Sequence, residues 1–334
     1  MKEAILAKII ILMCFLCLLA GIFMVDKTKY YDEENNSSKQ TGLMGKINKV
    51  AVIELNGAIA TESDTNIFQS DYNATNMLKS LKLAKEDKEI KGIILKINSP
   101  GGTVGMSQNI YNQIMTIKKD KPVIAVLDDV AASGGYYIAS ACDRIIAQEG
   151  SLTGSIGVIF SFMDLHNLLA NKLNVDQVVI KSGKYKDIGS STRAMTDEER
   201  QLMQGIIDDS YEQFLDAIRV GRIQRDDKYA AEKTDLTEET LTSYADGRVF
   251  TGRQAQKLGF VDKTGDMDTA KTMIEEMIES ILHNGYQAKL IAYNKKTGLS
   301  EYFSGVTEYR NNNIIKITDF VPTSVILSRK PLYL

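Results

Sequence analysis

The clearest indication of the fold is residues 122–143, PVIAVLDDVAASGGYYIASACD. Residues 122–127 are an apolar run that predicts a buried strand. Ala-Ala-Ser-Gly-Gly at 131–135 interrupts this run, and helical spacing of apolar residues follows over 133–141. A strand, a tight turn and a helix in this order expose the Ser133 hydroxyl, because the two glycines allow a substrate carbonyl to approach the backbone. Ser133 is therefore a candidate nucleophile.

The alternation of strands and helices continues on both sides of this stretch. Apolar patterns predict strands at 50–55, 92–97 and 177–180, and helices at 76–86, 105–118, 163–173 and 267–283. A longer helix is predicted over 196–222, because Thr196 and Glu199 match a capping box. Mostly apolar strands that alternate with helices predict an α/β protein with a parallel sheet covered by helices.

The composition excludes several classes of function. The chain has 334 residues and a net charge of −3, which gives no reason to expect a nucleic-acid partner. Its three cysteines are too few for a disulfide framework, and two of them lie in the apolar N-terminal run. The sequence contains neither a phosphate-binding loop nor a metal-ligand motif. We therefore expect neither a cofactor nor a metal.

The N-terminal segment predicts a membrane anchor. Residues 9–25 are uncharged and mostly apolar, and with residues 4–8 they reach about the twenty residues needed to span a bilayer. Lys2 and Lys8 precede the apolar run, so the positive-inside rule places the N-terminus in the cytoplasm and the rest of the chain outside. A cleaved secretory signal is the alternative, but no clear small-residue cleavage site precedes Asp26.

Four segments are expected along the chain. Residues 1–27 form a cytoplasmic tip and transmembrane anchor, and the polar residues 28–48 form a flexible tether. Residues 49–285 form the α/β domain that holds the candidate site, and residues 286–334 form a C-terminal segment. The serine motif is not repeated, so the chain is expected to hold one catalytic unit.

A nucleophilic serine needs a base, and the two histidines of the chain lack a companion acid in a recognisable setting. Lys181, Lys184 and Lys186 lie within six residues of one another and offer a lysine base instead. A lysine must be neutral to accept a proton, although its ordinary pKa is about 10.4; burial against apolar walls lowers that value. The alternative is three solvated lysines on a loop, and the residues alone do not choose among the three.

Five motifs resemble those of the signal peptide peptidase A family of serine peptidases, in its short single-copy form. In chain order they are NSPGG at 98–102, ASGGYY at 132–137, LTGSIG at 152–157, SGKYKD at 182–187 and DGRVFTGRQA at 246–255. One departure is SSTR at 190–193, where many relatives place a proline after the serine. The resemblance implies a membrane enzyme with a fold related to Clp protease and crotonase.

The resemblance also implies a role for individual residues. Ser133 is the nucleophile, Lys186 is the general base, and Ser155 is the hydroxyl that orients the lysine amine. The backbone N–H groups of Gly102 and Gly134 are the candidate donors to the oxyanion. Each residue has an ordinary structural alternative, which is a helix N-cap for Ser133, a solvated position on a loop for Lys186, and a simple turn for Ser155 and the two glycines.

Together these features predict a serine endopeptidase anchored in a bacterial cell membrane, with its catalytic domain outside the cytoplasm. The resemblance implies that it degrades cleaved signal peptides or other apolar peptides and forms a ring-like homo-oligomer. The expected partners are thus peptide substrates, the lipid bilayer and further copies of the chain. The alternatives are an acyl-CoA enzyme of the crotonase fold and a non-catalytic membrane scaffold.

Overall fold

The structure is a computed structural model that describes residues 47–61, 72–225, 228–229, 235–283 and 287–294. The predicted anchor (residues 1–27), most of the predicted tether and most of the predicted C-terminal segment lie outside these residues. Among the residues described, no helix combines the length and the apolar character needed to cross a membrane.

The described residues form one sheet of eight strands. The strands are β1 Ile47–Asn56, β2 Ile90–Ser99, β3 Val123–Ala132, β4 Arg144–Ala147, β5 Leu152–Gly154, β6 Val249–Thr251, β7 Lys263–Thr264 and β8 Gln287–Ala292. The order across the sheet is β6-β5-β3-β2-β1-β8, and β4 lies between β3 and β7. Within this described sheet every pair is parallel except β5 with β6, which confirms the predicted parallel α/β architecture.

Helices cover both faces of the sheet. They are α1 Ala74–Glu86, α2 Val104–Ile117, α3 Gly134–Ser140, α4 Asp197–Ile218, α5 Glu238–Tyr244, α6 Gly252–Lys257 and α7 Met267–Leu282. Side chains alternate along each strand, so Ala51 and Ile53 pack with α1 to α4 in one apolar core. Val50 and Ile94 face the other side, where α7 covers them.

The predicted long helix is confirmed as α4. Its N-terminus carries the predicted capping box, in which Glu199 N–H donates to Thr196 Oγ1 and Thr196 N–H donates to the Glu199 carboxylate. The last predicted turn differs, because Arg219–Ile223 is a π-helical turn. A Cβ atom at Gly221 would lie 2.0 Å from the Ser140 carbonyl oxygen, so this turn packs against α3 at a distance that only glycine allows.

A buried carboxylate connects this turn to the sheet. Asp262 is 1% exposed, and its oxygens lie 2.9 Å from Arg222 and 3.0 Å from Arg225. The same carboxylate accepts the Ile145 N–H of strand β4 at 2.7 Å. Burial raises the pKa of Asp262, but the two guanidinium charges outweigh burial and hold the pKa at about 2. The end of α4 is thereby fixed beside β4.

The sequence predictions are wrong over residues 159–180, which we call the apolar arm. The helix predicted over 163–173 is reduced to a short helical turn at 166–172, and residues 177–180 form no strand. The side chains of Val178 and Ile180 are 86% and 97% exposed. β-branched residues favour a strand when a neighbouring strand packs beside them, and the described part of a single chain offers the arm no such neighbour.

Candidate active site

Strand β3 changes partners along its length, and this places two serines side by side. Its first half pairs with β4 and its last three residues pair with β5, with Ala132 opposite Gly154. Ser133 and Ser155 directly follow these two residues, on neighbouring parallel strands about 4.8 Å apart. The Ser133 N–H donates to the Gly154 carbonyl oxygen at 2.8 Å. The structure thus brings Ser133 and Ser155 close together.

Both serines have a strained backbone. Ser133 has φ 52° and ψ −120°, and Ser155 has φ 50°. Of the described non-glycine residues, Asn174 and His283 also have positive φ, but asparagine tolerates this region and His283 ends helix α7. A serine gains nothing from such a conformation by itself. Non-glycine residues in this region cluster at functional sites, which favours function over a simple cap or turn.

Two backbone N–H groups converge beside Ser133. Residue Ile59 donates to the Gly101 carbonyl and accepts from Thr103, so the N–H of Gly102 between them points away from Ile59. The Gly134 N–H belongs to the first turn of α3, where N–H groups have no partner within the helix. A Cβ atom at Gly134 would lie only 3.2 Å from the Gly102 nitrogen. An oxygen placed beside Ser133 can therefore accept from both groups.

Ser99 explains why Gly102 and not Gly101 is the free donor. The Gly101 N–H donates to Ser99 Oγ at 3.1 Å, and Ser99 is fully buried at the end of β2. Gly101 also has φ 104°, and a Cβ atom there would lie 2.8 Å from both the Gly134 nitrogen and Ser133 Cβ. The NSPGG motif therefore builds the turn through Ser99 and Gly101 and presents the N–H of Gly102.

Ser133, Gly102 and Gly134 line a cavity of about 690 Å³. Its other walls are mostly apolar and include Ile59, Val104, Tyr137, Val158, Ile159 and Phe214. The rings of Tyr137 and Phe214 lie 4.9 Å apart, and burial raises the pKa of the Tyr137 phenol, which keeps it neutral. A concave apolar pocket with a few convergent polar groups suits an apolar peptide side chain. Ile59 and Phe214 carry no motif, so sequence reasoning missed them.

Lys186 lies outside this cavity in the single chain. It is exposed, within the turns that follow the apolar arm, and it is absent from the walls around Ser133. Its neighbours are engaged, because Lys181 forms an ion pair with Asp187, and Lys184 forms one with Glu198. In the described part of the chain, the Lys186 amine makes neither an ion pair nor a hydrogen bond. One chain alone therefore does not bring the candidate base to Ser133.

Other reactive groups lie elsewhere. His166 is exposed, with Nδ1 3.2 Å from the Thr192 carbonyl oxygen, and His283 ends helix α7; neither lines the Ser133 cavity. Cys142 is buried, and burial raises the pKa of its thiol, so it is a poor nucleophile. Across the described ranges, no group of three or more histidine, cysteine or acidic residues could hold a metal ion.

A serine at the end of a parallel strand, beside two convergent N–H groups and an apolar pocket, is the arrangement of a serine hydrolase. The family model for Clp protease matches residues 40–148, and the model for peptidase family S49 matches residues 116–280. A putative protease from Synechocystis sp. is 40% identical over 223 residues, which are 67% of this chain and 72% of that protein. The chain belongs to peptidase family S49 and is a serine peptidase.

Two further sequence relatives support this assignment. A putative signal peptide peptidase SppA from Enterococcus faecium is 36% identical over 72% of this chain and 67% of its own length. Protease 4 from Salmonella typhi is 30% identical over 74% of this chain, which corresponds to 37% of that protein. Among solved structures, a membrane-bound stomatin-specific protease covers 78% of this chain with a TM-score of 0.45 and 17% identity.

Proposed function

We propose that this peptidase cleaves apolar peptides, with Ser133 as nucleophile and Lys186 as general base. Ser133 Oγ attacks the scissile carbonyl while the neutral Lys186 amine takes its proton. The Gly102 and Gly134 N–H groups stabilise the oxyanion, and the lysine then protonates the leaving amine. Water then hydrolyses the acyl-enzyme: the Lys186 amine takes a proton from the water and returns it to Ser133 Oγ as the ester bond breaks. The observation that carries the proposal is that Ser133, Gly102 and Gly134 line one mostly apolar pocket, with Ser155 following the strand next to that of Ser133.

The ion pairs of the loop support Lys186 over its neighbours. Lys181 and Lys184 both contact carboxylates, and the hydrogen bond to Glu198 raises the pKa of Lys184, which holds its amine in the charged form. Lys186 has no such contact in the residues described here, so its amine is free to meet a serine hydroxyl. Ser155 directly follows the residue that pairs with Ala132, and in this proposal its hydroxyl orients the amine that reaches Ser133.

We further propose that the site is completed in a ring-like homo-oligomer, in which the loop of one copy reaches the Ser133 of the next. Within one chain, the Lys186 loop is attached to Glu199 of helix α4, whereas Ser210 of the same helix lines the Ser133 cavity. These residues are eleven positions apart, or about 16 Å along the helix axis. The apolar arm leads into the loop, and a second copy can cover its exposed side chains.

Assembly also favours the chemistry. Covering the lysine amine with apolar surface favours its neutral form, which is the form that accepts a proton. Head-to-tail contacts of this kind close into rings when the rotation between copies allows it. The arm contributes strongly to such a contact, because it exposes large apolar side chains. They are Ile159, Phe160, Phe162, Met163, Leu168, Leu173, Val175, Val178, Val179 and Ile180.

The substrates and the location follow from the relatives and from the sequence. One relative is named a signal peptide peptidase, and the pocket beside Ser133 is mostly apolar. We therefore propose that signal-peptide remnants and other apolar peptides are cut, at the outer surface of the bacterial membrane, by a catalytic domain that residues 1–27 anchor. If the catalytic domain faces outward, protease added to intact cells degrades it; if it is degraded only after lysis, the orientation is wrong.

Variants of the full-length protein in detergent test the two catalytic residues. Ser133→Ala and Lys186→Ala should each abolish cleavage of a fluorogenic apolar peptide, and Lys186→Arg should not restore it, because a guanidinium does not lose its proton. Lys82→Ala, at an exposed position of helix α1 that contributes nothing to the site, is the control and should keep near-normal turnover. Only the active protein should react with a fluorophosphonate, a result that an acyl-CoA enzyme would not give. Near-full activity of Lys186→Ala would refute the assignment.

Mixing the two inactive variants tests the shared site. If each site uses residues of two copies, a mixture of Ser133→Ala and Lys186→Ala should recover activity. In a randomly mixed head-to-tail ring, about one interface in four joins an intact serine to an intact lysine. If both residues belong to one chain, the mixture stays inactive, and the proposal of a shared site fails while the Ser-Lys assignment stands.

A further inference from the structure

We propose that Arg193 is a positioning residue for Lys186, because its guanidinium fixes the loop that carries the lysine to the first turn of helix α4. This role rests on the proposed function, since it takes Lys186 as the general base. Arg193 does not line the Ser133 cavity. It acts through Asp187, the residue that follows Lys186 in the chain.

Arg193 binds two carboxylates at once. Its Nε and Nη2 atoms donate to the two oxygens of Asp187 at 3.0 and 2.8 Å. Its Nη1 and Nη2 atoms donate to the two oxygens of Glu199 at 2.7 and 2.5 Å. Each pair of bonds is a planar fork, a geometry that guanidinium provides and ammonium does not. The Asp187 carbonyl oxygen also accepts from Nη2, at 3.2 Å.

Glu199 is itself held in a fixed position, so it anchors the Arg193 guanidinium. Its side chain is 3% exposed, and its carboxylate also accepts the Thr196 N–H of the capping box at 3.0 Å. Hydrogen bonds from Arg193 lower the pKa of Glu199 to about 2 and hold the pKa of Asp187 well below its ordinary range. Both acids therefore stay charged at neutral pH. Lys186 is thus one residue away from an attachment to a regular helix.

A second attachment lies on the other side of Lys186. The Lys184 ammonium and the Tyr185 hydroxyl both contact the carboxylate of Glu198, the neighbour of Glu199 in the same helical turn. The backbone is held before and after Lys186. The position of the amine then depends on the torsions of one side chain, which limits how far it strays from a serine hydroxyl. Loss of the Arg193 fork releases the loop on its C-terminal side.

The variant Arg193→Ala tests this role in the full-length protein, with a fluorogenic apolar peptide as substrate. We expect kcat to fall by about 10- to 100-fold while KM changes less than about threefold, since a displaced base slows chemistry rather than binding. Arg193 lines a separate cavity of about 420 Å³, through which a small cation can reach the vacated position. Millimolar guanidinium should restore part of kcat, and ethylammonium, which lacks the planar fork, should not.

Arg219→Ala is the matched control. Arg219, like Arg193, binds more than one carboxylate; its partners are Glu212, Asp216 and Glu238, and it lies at the opposite end of α4. The kcat of the Arg219→Ala variant should equal that of the wild type. If Arg193→Ala does not fold, Arg193→Lys takes its place, and a kcat lowered more than about threefold at an unchanged melting temperature supports the proposal.

Three results would overturn the role of Arg193: a kcat within about threefold of the wild type, a rise in KM alone, or equal rescue by both cations. Lys186→Ala is measured in parallel to separate the two proposals. If Lys186→Ala is inactive and Arg193→Ala is fully active, only the proposed role of Arg193 is refuted. If Lys186→Ala is active, Lys186 is not the general base, so the proposed mechanism and the positioning role of Arg193 are both refuted.

Discussion

Replacing Asp262 with asparagine tests how the end of helix α4 is attached to the sheet. The carboxylate is buried against Arg222 and Arg225, and asparagine keeps its shape but not its charge. Removal of one partner from a buried ion pair leaves the other charges uncompensated and typically costs about 3–5 kcal/mol. We expect the free energy of unfolding at pH 7 to fall by about this amount.

The pH dependence of the free energy of unfolding gives a second measure of the contribution of Asp262. The pKa of Asp262 is lowered from 3.8 to about 2, so its ionised form stabilises the fold fully above about pH 4. This contribution, about 2 kcal/mol, is lost as the pH falls through the folded-state pKa. The wild type should therefore lose stability between pH 4 and 2, and Asp262→Asn should lose about 2 kcal/mol less over the same range.

Urea unfolding of the full-length protein, followed by far-ultraviolet circular dichroism at pH 7 and at steps down to pH 2, measures both effects. Asp246→Asn is the control, because Asp246 also pairs with an arginine but half of its side chain is exposed. Exposed pairs contribute about 0–1 kcal/mol. The reasoning is refuted if Asp262→Asn is no less stable than the control variant, or if its stability falls as steeply with acid as that of the wild type.

Three further predictions concern the site. Ser155→Ala should lower kcat by about 10- to 100-fold in steady-state assays, because the proposed role of its hydroxyl is to orient the Lys186 amine; an unchanged kcat contradicts that role. Gly102→Ala should lower kcat by at least about 100-fold, since its Cβ would lie 2.0 Å from the Ile59 carbonyl oxygen and displace the oxyanion N–H. The double variant of His166 and His283 to alanine should stay largely active, and a folded but inactive double variant would point to a histidine base.

Much of the sheet could be predicted from the sequence, because buried parallel strands are continuous apolar runs. Strand β3 shows where this stops. The apolar pattern ends at Leu127, but the strand continues through Asp128 and Asp129 to Ala132. Two adjacent carboxylates resemble a solvated loop, and the strand extends beyond them because residues 130–132 pair with β5 and Ala131 pairs with Ser99 of β2. Strands β4 to β7 have two to four residues each, too few to show a period.

Some residues of the candidate site could likewise be predicted from the sequence, and others could not. Ser133, Ser155 and the two glycines lie in motifs whose order along the chain matches the order of the strand ends, so their proximity was predictable from the resemblance, while their roles stay predictions. Phe214 lies near the end of a long helix, and nothing in its neighbourhood in the sequence indicates a pocket. The placement of Lys186 was not predictable either, because the exposure of the apolar arm depends on what packs against it. No local pattern encodes that contact.

The backbone of Ser133 has a consequence for attempts to make this protein more robust. Its φ of 52° and ψ of −120° suit glycine far better than serine, and such a conformation costs about 1–3 kcal/mol. A screen that selects only for heat resistance should therefore favour glycine at this position and recover well-folded proteins that no longer cut peptides. Thermal stability and catalytic turnover therefore place opposite demands on one residue, and a selection must measure both.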